Sequence, residues 1–549
     1  MYFLLAVGAL WMVVVVVVVW RVYKGFDLLS KRKGFSRDQQ GRSVAIIGAG
    51  FGGLCAGIKL KKLGIPFVIY ERHPTAVGGT WRDNTYPGSG CDVASLQYEF
   101  SFFRGTWSRL WARQSEILDY TMHLYNTFQL GPHTTLDACL TRASFDGKRW
   151  SLTFRRESDG GQFVTDDHSF LIIATGQLSD PQIPAVLEQS ATVFRGKVCH
   201  TARWPRDLDL VGKDVVVVGT GASAIQLVPE IVDRCRKLTV VQSSPNWLFG
   251  KQDRQVGAVE RFLYQFSPIR MLYRYYGLLQ LDLLFAASMR QQVPSRSWTH
   301  GMVEGQFRKS MVAQMESPVN QEVLLPQYPF GCKRVLLSSE WLAAVQAPNA
   351  TVVEGKAVGF APDGIRVAKR RNVRGNDEGV RAADCEDIPA DIVVLATGFR
   401  TTAFLRGMEV YNRDGEEIHT SVWADGAYAA YCGIHVKRFP NLFLLYGPNT
   451  NVNHTSILSF LEAQTENCVD TICECLERGA DLVVVPESLY DAQDAAVQQG
   501  LQKSIFNAGC QSWYVSKETG RVVTNTPWSL FGYWMECVWN YDSRRMHYH

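Results

Sequence analysis

Ser43-Val-Ala-Ile-Ile47 runs directly into Gly48-Ala-Gly50-Phe-Gly-Gly53, and the apolar-periodic stretch Leu54–Leu63 follows. The first segment reads as a short buried strand, the last as a helix, and the glycines between them as the turn that lets the backbone approach a pyrophosphate at the helix N-terminus. A lone G-x-G-x-x-G is weak; strand–turn–helix context makes it strong. A second strand, Phe67–Tyr70, ends at Glu71, an acid 23 residues after Gly48 that is placed to accept the ribose hydroxyls of an adenine dinucleotide. Later apolar runs close at Leu171-Ile-Ile-Ala174-Thr175-Gly176 and at Ile392-Val-Val-Leu-Ala396-Thr397-Gly398. Both read as further strands of parallel sheets, which predicts an α/β chain.

The pattern then repeats. Asp214–Val218 leads into Gly219-Thr220-Gly221-Ala222-Ser223, with a helical Ile225–Val232 and a strand Leu238–Gln242 behind it. Where an NAD site carries an acid, this strand ends in Ser243-Ser244. Nothing there repels a 2′-phosphate, and two hydroxyls donate to it, which favours NADP over NAD. Two such units in one chain imply two dinucleotides, and the economical pair is a flavin with the nicotinamide that reduces it.

The chain has 549 residues, 57 basic and 53 acidic, enough for at least two domains. Its basic excess sits between residues 21 and 42, where Arg21, Lys24, Lys31, Arg32, Lys33, Arg37 and Arg42 face only Asp27 and Asp38. The body therefore has no nucleic-acid signature. Before this stretch lies Phe3–Trp20, an uncharged run with seven consecutive valines. As a helix it spans about 27 Å, close to a bilayer core. Charges that follow the run, and no small-residue cleavage site after it, fit an anchor better than a signal peptide. The positive flank places the body on the cytoplasmic side, at the endoplasmic reticulum in a eukaryotic cell. The 13 cysteines form no Cys-x-x-Cys pair and no zinc-spaced cluster, so reduced, buried thiols and no metal are expected.

Between the two glycine loops stands Phe194-Arg-Gly196-Lys-Val-Cys-His200-Thr-Ala-Arg-Trp204-Pro205. It resembles, at every fixed position, the fingerprint of type I Baeyer–Villiger monooxygenases within the flavin-binding monooxygenase superfamily. Gly78-Gly79-Thr80-Trp81, Tyr86-Pro87-Gly88 and Asp92 resemble a second fingerprint of that family. Tyr328-Pro-Phe-Gly-Cys-Lys333-Arg334 looks like its Lys-Arg segment, in wording most similar to the 4-hydroxyacetophenone monooxygenase branch.

The resemblance implies roles residue by residue. Gly48, Gly50, Gly53 and Glu71 would hold FAD; Gly79, Thr80, Trp81, Asp92 and Tyr98 would line the flavin. Gly219, Thr220, Gly221, Ala222, Ser223, Ser243 and Ser244 would hold NADPH, with Trp513 near its nicotinamide ribose. Arg334 would be the catalytic arginine with Asp92 as its carboxylate partner. Phe194, Gly196, His200, Trp204 and Pro205 would lie on the linker between domains. The family usually has Arg where Ser243 stands, so Lys333, Lys251 or Arg254 would have to supply the charge for the 2′-phosphate.

The implied fold is two Rossmann-like domains behind a transmembrane helix. Residues 1–21 would be the anchor, 22–42 a basic linker, 43–185 the first part of an FAD domain, 186–388 an NADP domain with a helical insertion at about 256–320, and 389–549 the rest of the FAD domain. The implied reaction inserts one atom of O2 into a ketone through a flavin C4a-peroxide, giving an ester or lactone, and the anchor points to a lipophilic carbonyl substrate and to membrane lipid. Sulfur or nitrogen oxygenation is the alternative within the class, and a catalytically idle dinucleotide scaffold the alternative outside it. The aromatic, leucine-rich stretch from Val256 to Val303 reads as an insertion packing its apolar face on the NADP domain; a second membrane contact, with Arg270, Arg274 and Arg290 at headgroups, is the sharper option.

Overall fold

A computed structural model of the chain describes residues 41–288, 298–369, 385–510 and 512–549. The expected anchor, nearly all of the basic linker, and Arg290 lie outside them. Among the described residues no helix is long and apolar enough to cross a membrane.

Two parallel sheets organise the rest. In the first, Ser43–Ile47 pairs with Phe67–Tyr70 on one side and with the end of the long strand Gln162–Ile173 on the other. Leu442–Leu444 adds beyond that end, and Thr134–Thr135 closes the opposite edge. These strands are near-continuous apolar runs because both faces are covered, one by helices and the other by the antiparallel extension and the segment 404–439; Val44, Ala45 and Ile46 have no exposed surface. The helix Phe51–Leu63 covers one face and packs against Ile457–Glu477, whose side chains are mostly buried. The first half of Gln162–Ile173 continues into an antiparallel extension with Trp150–Arg155 and Cys139–Phe145.

The second sheet has the parallel order Ala350–Ala361, Lys237–Gln242, Asp214–Val218, Ile392–Leu395, Lys197–His200. An antiparallel hairpin, Gly364–Lys369 with Cys385–Pro389, extends its edge. This corrects the expected boundary at 388/389. Ile392–Leu395 is central in the second sheet, flanked by Asp214–Val218 and Lys197–His200, so the chain leaves this unit only after Gly398. The reason is physical: Asp214–Val218 has Lys237–Gln242 on one side, and Ile392–Leu395 fills the other side and brings the Ala396 carbonyl against Gly219. His200 likewise sits at the end of an edge strand of this sheet and not on a free linker.

The insertion comprises the helices Ala258–Leu263, Ser267–Ser288, Trp298–Val312 and Pro318–Leu324. Its longest helix turns a mixed face inward, with Leu278 and Phe285 buried beside charged residues. Arg270 and Arg274 point into the protein, where Arg270 pairs with the buried Glu99 and Arg274 donates to the Glu99 carbonyl at 2.6 Å. That overturns the headgroup role expected of these two arginines, since both are engaged inside the protein, whereas Leu278 and Phe285 of the same helix do pack into the cores.

Cysteine usage is corrected too. Cys332 and Cys510 form a disulfide across 178 residues, while most of the other described cysteines are buried.

The two units meet at Tyr86-Pro87-Gly88. Gly88 has φ +79°, and a Cβ there would lie 2.2 Å from the carbonyl oxygen of Gln226, on the helix Ala222–Ile231 of the second unit. The Tyr86 hydroxyl donates to Gln226 Oε1 at 2.7 Å, and Gln226 Nε2 donates to the Gly90 carbonyl at 3.0 Å. Gly88→Ala combines a left-handed backbone with a clash against main chain, so it is expected to destabilise the enzyme by ~2 kcal/mol or more. Thermal unfolding should show a lowered midpoint, whereas Gly176→Ala, at φ +69° but with open space around it, should lower it less.

Candidate active site between the two dinucleotide-binding units

Each glycine loop forms a cradle bounded by backbone. Gly48 (φ +106°) and Gly219 (φ +105°) occupy equivalent positions, and a Cβ on either would meet the carbonyl oxygen of Ala174 at 2.7 Å or of Ala396 at 2.6 Å. The helices that follow, from Phe51 and from Ala222, start at Gly50 and Gly221 with no side-chain cap on their first-turn N–H groups. Uncapped first turns reached only by glycine fit a pyrophosphate at both places.

Around the first cradle, Glu71 is 4% exposed. It accepts the N–H of Ala49 at 2.8 Å and of His73 at 3.0 Å, and it pairs with Arg82 at 3.2 Å. It therefore fixes the loop as well as facing the ribose position. Gly79 packs on Gly50: a Cβ on Gly79 would meet the Gly50 Cα at 3.0 Å. Thr80 donates to the Leu178 carbonyl, and Trp81 Nε1 donates to the Tyr98 hydroxyl at 3.0 Å. Gly53 lies inside the helix turn against the Gly48 carbonyl.

Around the second cradle, the Thr220 hydroxyl donates to the Ser244 carbonyl at 3.0 Å, and Lys333 Nζ donates to the Ser244 hydroxyl at 2.9 Å. Ala222 and Ser223 begin the helix, and Ser243 is exposed. Of the three cations considered for the missing arginine, Lys333 is the one beside the serines. Lys251 donates instead to the Cys91 carbonyl at 3.1 Å, and Arg254 is held in a two-pronged pair with Glu260. Burial pulls the Lys251 ammonium below the usual lysine range.

Asp92 and Arg334, 242 residues apart, are in direct contact where the units face each other. The Asp92 carboxylate raises the Arg334 pKa further, so its charge is permanent. Two phenols that no motif marks share this pocket, Tyr446 and Tyr514. Burial pushes both phenols up, so both remain neutral. The Tyr446 hydroxyl donates to Asn451 Oδ1 at 2.6 Å, and the Tyr514 hydroxyl accepts from Asn453 Nδ2 at 2.8 Å. The only sequence signal for Tyr514 is its place next to Trp513. Trp513 itself is 36% exposed, with its ring 4.5 Å from that of Tyr514. The disulfide from Cys332 ties the Arg334 segment to the Trp513 segment.

The fingerprint between the loops is structural here. The Phe194 ring stacks on Phe360 at 5.5 Å, and Gly196 lies against the Asp391 carbonyl, where a Cβ would be 2.4 Å away. Trp204 packs on the second core, and Pro205 follows it, half-buried. His200 Nδ1 accepts the Ala202 N–H at 3.0 Å, and burial lowers its pKa to about 4. Among the described residues no group of three metal-ligating side chains gathers.

With this geometry in hand, similarity to known proteins is decisive. A Baeyer–Villiger monooxygenase of Streptomyces coelicolor is 34% identical over 493 residues, 88% of each chain. The protein belongs to the Baeyer–Villiger monooxygenases. A second family member, from Pseudomonas aeruginosa, is 33% identical and covers 88% of this chain and 87% of its own. Residues 42–263 match the family model of pyridine nucleotide-disulphide oxidoreductases. Among solved structures, an oxidised steroid monooxygenase bound to NADP superposes with a TM-score of 0.75 at 25% identity, over 92% of this chain and 99% of that one. The OTEMO complex with FAD and NADP superposes with a TM-score of 0.78 at 21% identity and the same coverage. This Baeyer–Villiger monooxygenase is thus an NADPH-dependent flavin enzyme, with FAD and NADP as its cofactors.

Two outcomes follow for this site. Lys333→Ala should raise KM for NADPH about tenfold, the value of a lost charge-assisted contact, and leave KM for NADH within about twofold; steady-state kinetics with both reductants reads the difference. His200 has a folded pKa below its unfolded value of ~6.5, so the unfolded chain takes the proton first as pH falls. Its stabilising contribution is complete above ~6.5 and lost as pH drops toward 4. The melting temperature should therefore fall between pH 7 and 5, and His200→Gln should flatten that slope.

Proposed function

We propose that this enzyme inserts one oxygen atom of O2 into a lipophilic ketone to give an ester or lactone. The observation that carries the reading is the contact of Arg334 with Asp92 between the two pyrophosphate cradles, flanked by two neutral phenols. Bound FAD supplies the activation of oxygen, and NADPH supplies the electrons.

The chain's own residues do the rest. The glycine loops and uncapped helix ends bind the pyrophosphates. The Arg334 guanidinium holds a fixed positive charge at the junction, where negative charge develops on the ketone oxygen. Asp92 orients that guanidinium and balances it, since an unpaired cation in a half-buried site is costly. Tyr446, bonded to Asn451, and Tyr514, bonded to Asn453, stand near the charge as neutral hydrogen-bonding groups. Lys333 and Ser244 fit the 2′-phosphate and so favour NADPH. The body is held on the cytoplasmic face of a membrane by the apolar run Phe3–Trp20 and the basic residues after it, at the endoplasmic reticulum in a eukaryotic cell.

The test uses 18O2, NADPH and a panel of long-chain ketones. Mass spectrometry is expected to find one labelled oxygen in an ester or lactone. Arg334→Ala should lower the rate of ester formation at least about a hundredfold, as loss of a preorganised charge does, while NADPH is still oxidised. Label appearing only in sulfoxides or N-oxides from a parallel panel would replace the ketone reading.

A further inference from the structure

The helix Ser267–Ser288 is built inside out. Taken at 100° per residue, Arg270, Arg274, Leu278, Asp282 and Phe285 fall on one side, and all five are buried. Arg270 pairs with Glu99, which also accepts the N–H of Gly105 and of the Trp107 indole. Asp282 contacts His454 at 3.1 Å and accepts the N–H groups of Leu530 and Phe531 at 2.9 Å. The charges of the helix are consumed inside the protein.

The opposite side carries Ile269, Leu272, Tyr273, Tyr276 and Leu283, which are 38–49% exposed. These positions fall within an arc of about 120°. The preceding helix continues the surface with Val259, Phe262 and Leu263, exposed by 72%, 58% and 37%, and Phe266 joins the two at 47%. Between Ala258 and Ser288 the acids are Glu260, neutralised by Arg254, and the buried Asp282. An apolar surface of this extent, whose one acid at the surface is already paired, marks a partner.

A cavity of about 470 Å³ lies beside it, lined on this side by Tyr273, Tyr276 and Gln280. Its far wall is the segment 94–111, which begins two residues after Asp92. Arg104 and Arg261, both exposed, stand at its edge.

Resting on the proposed function above, we propose that this face docks on a phospholipid bilayer and that the cavity is the port through which a membrane-dissolved ketone enters. Three features select lipid as the occupant. Aromatic and aliphatic side chains mixed on one face, with arginines at the rim and the one acid, Glu260, held by Arg254, match the boundary between acyl chains and anionic headgroups. The sequence ahead of the described residues contains a run of bilayer length. The residues joining it to Gly41, 21–40, reach up to about 66 Å when extended, far enough for this face to lie on the same membrane. Arg42, pinned to the carbonyl of Ala480 and to Asp481, fixes where that tether enters the body.

The test uses the full chain in phosphatidylcholine–phosphatidylglycerol vesicles doped with a phospholipid carrying a diazirine midway along one acyl chain. After illumination, labelled peptides are expected from residues 259–284 as well as from the N-terminus. Labelling confined to residues before 41, or a face covered by a second copy of the chain in cross-linking, would overturn the proposal. This readout needs no turnover, so it stands apart from the identity of the substrate. A second arm uses Phe266→Asp/Ile269→Asp, neither of which lines the cavity. It should lose the label at 259–284 and raise KM about tenfold for a ketone dissolved in the vesicles, with KM for a water-soluble ketone and for NADPH unchanged. Equal KM values for the vesicle ketone in variant and wild type would refute the port.

Discussion

The contact between Asp92 and Arg334 is the constraint around which the molecule is arranged. One partner belongs to the first dinucleotide unit and the other to the second, so the pair exists only if the units are docked in register. A half-buried charge tolerates little misplacement, because its compensation falls off as soon as the partner moves. The surrounding interface supplies that register. Gln226 is held between the Tyr86 hydroxyl and the Gly90 carbonyl, Gly88 lets two backbones touch, and Lys251 reaches across to Cys91, one residue from Asp92. The helix that docks here is the one whose N-terminus forms the second cradle. Cofactor binding and charge placement thus share one rigid element.

Much of this was legible before any coordinates. The glycine loops, with a strand before and a helix after, encode their own geometry, since only glycine fits at 48 and 219. Asp92, Lys333 and Arg334 were legible through resemblance, because fixed words such as Tyr-Pro-Phe-Gly-Cys-Lys-Arg carry spacing information that single residues lack. Tyr446 and Tyr514 were not legible. A buried tyrosine is common, and only the fold reveals that these two converge on an arginine 112 and 180 residues away in sequence. The strand Ile392–Leu395 was recognised as a strand but expected in the wrong sheet. Its pattern, a run of buried apolar residues closing on Ala-Thr-Gly, is the same as that of Phe170–Gly176, so local sequence cannot say which parallel neighbour it takes.

In the insertion, the buried charges of the long helix were what the sequence did not show. Hydrophobic periodicity reports that a helix has two faces, and the usual inference is that the apolar one turns inward. In Ser267–Ser288 the inward face is set by specific partners, Glu99 for Arg270 and His454 for Asp282. A few buried ion pairs outweigh the general rule when their acceptors wait in the neighbouring wall. The disulfide between Cys332 and Cys510 was hidden likewise, since its halves are 178 residues apart and much of the first unit's second part lies between them.

Interleaving of the two units sets the order in which a nascent chain can assemble. Every strand of the second sheet lies between Lys197 and Leu395, so this sheet is complete once that stretch has emerged. The first sheet begins earlier but lacks Leu442–Leu444 and the supporting helix Ile457–Glu477 until much later, and a separate two-stranded sheet of Val483–Val484 with His547–Tyr548 closes only at the end of the chain. Synthesis therefore starts with the flavin-binding half and finishes the nicotinamide-binding half first. The early segment must wait, with its apolar strands Ser43–Ile47 and Phe67–Tyr70 only partly covered, for the C-terminus to arrive.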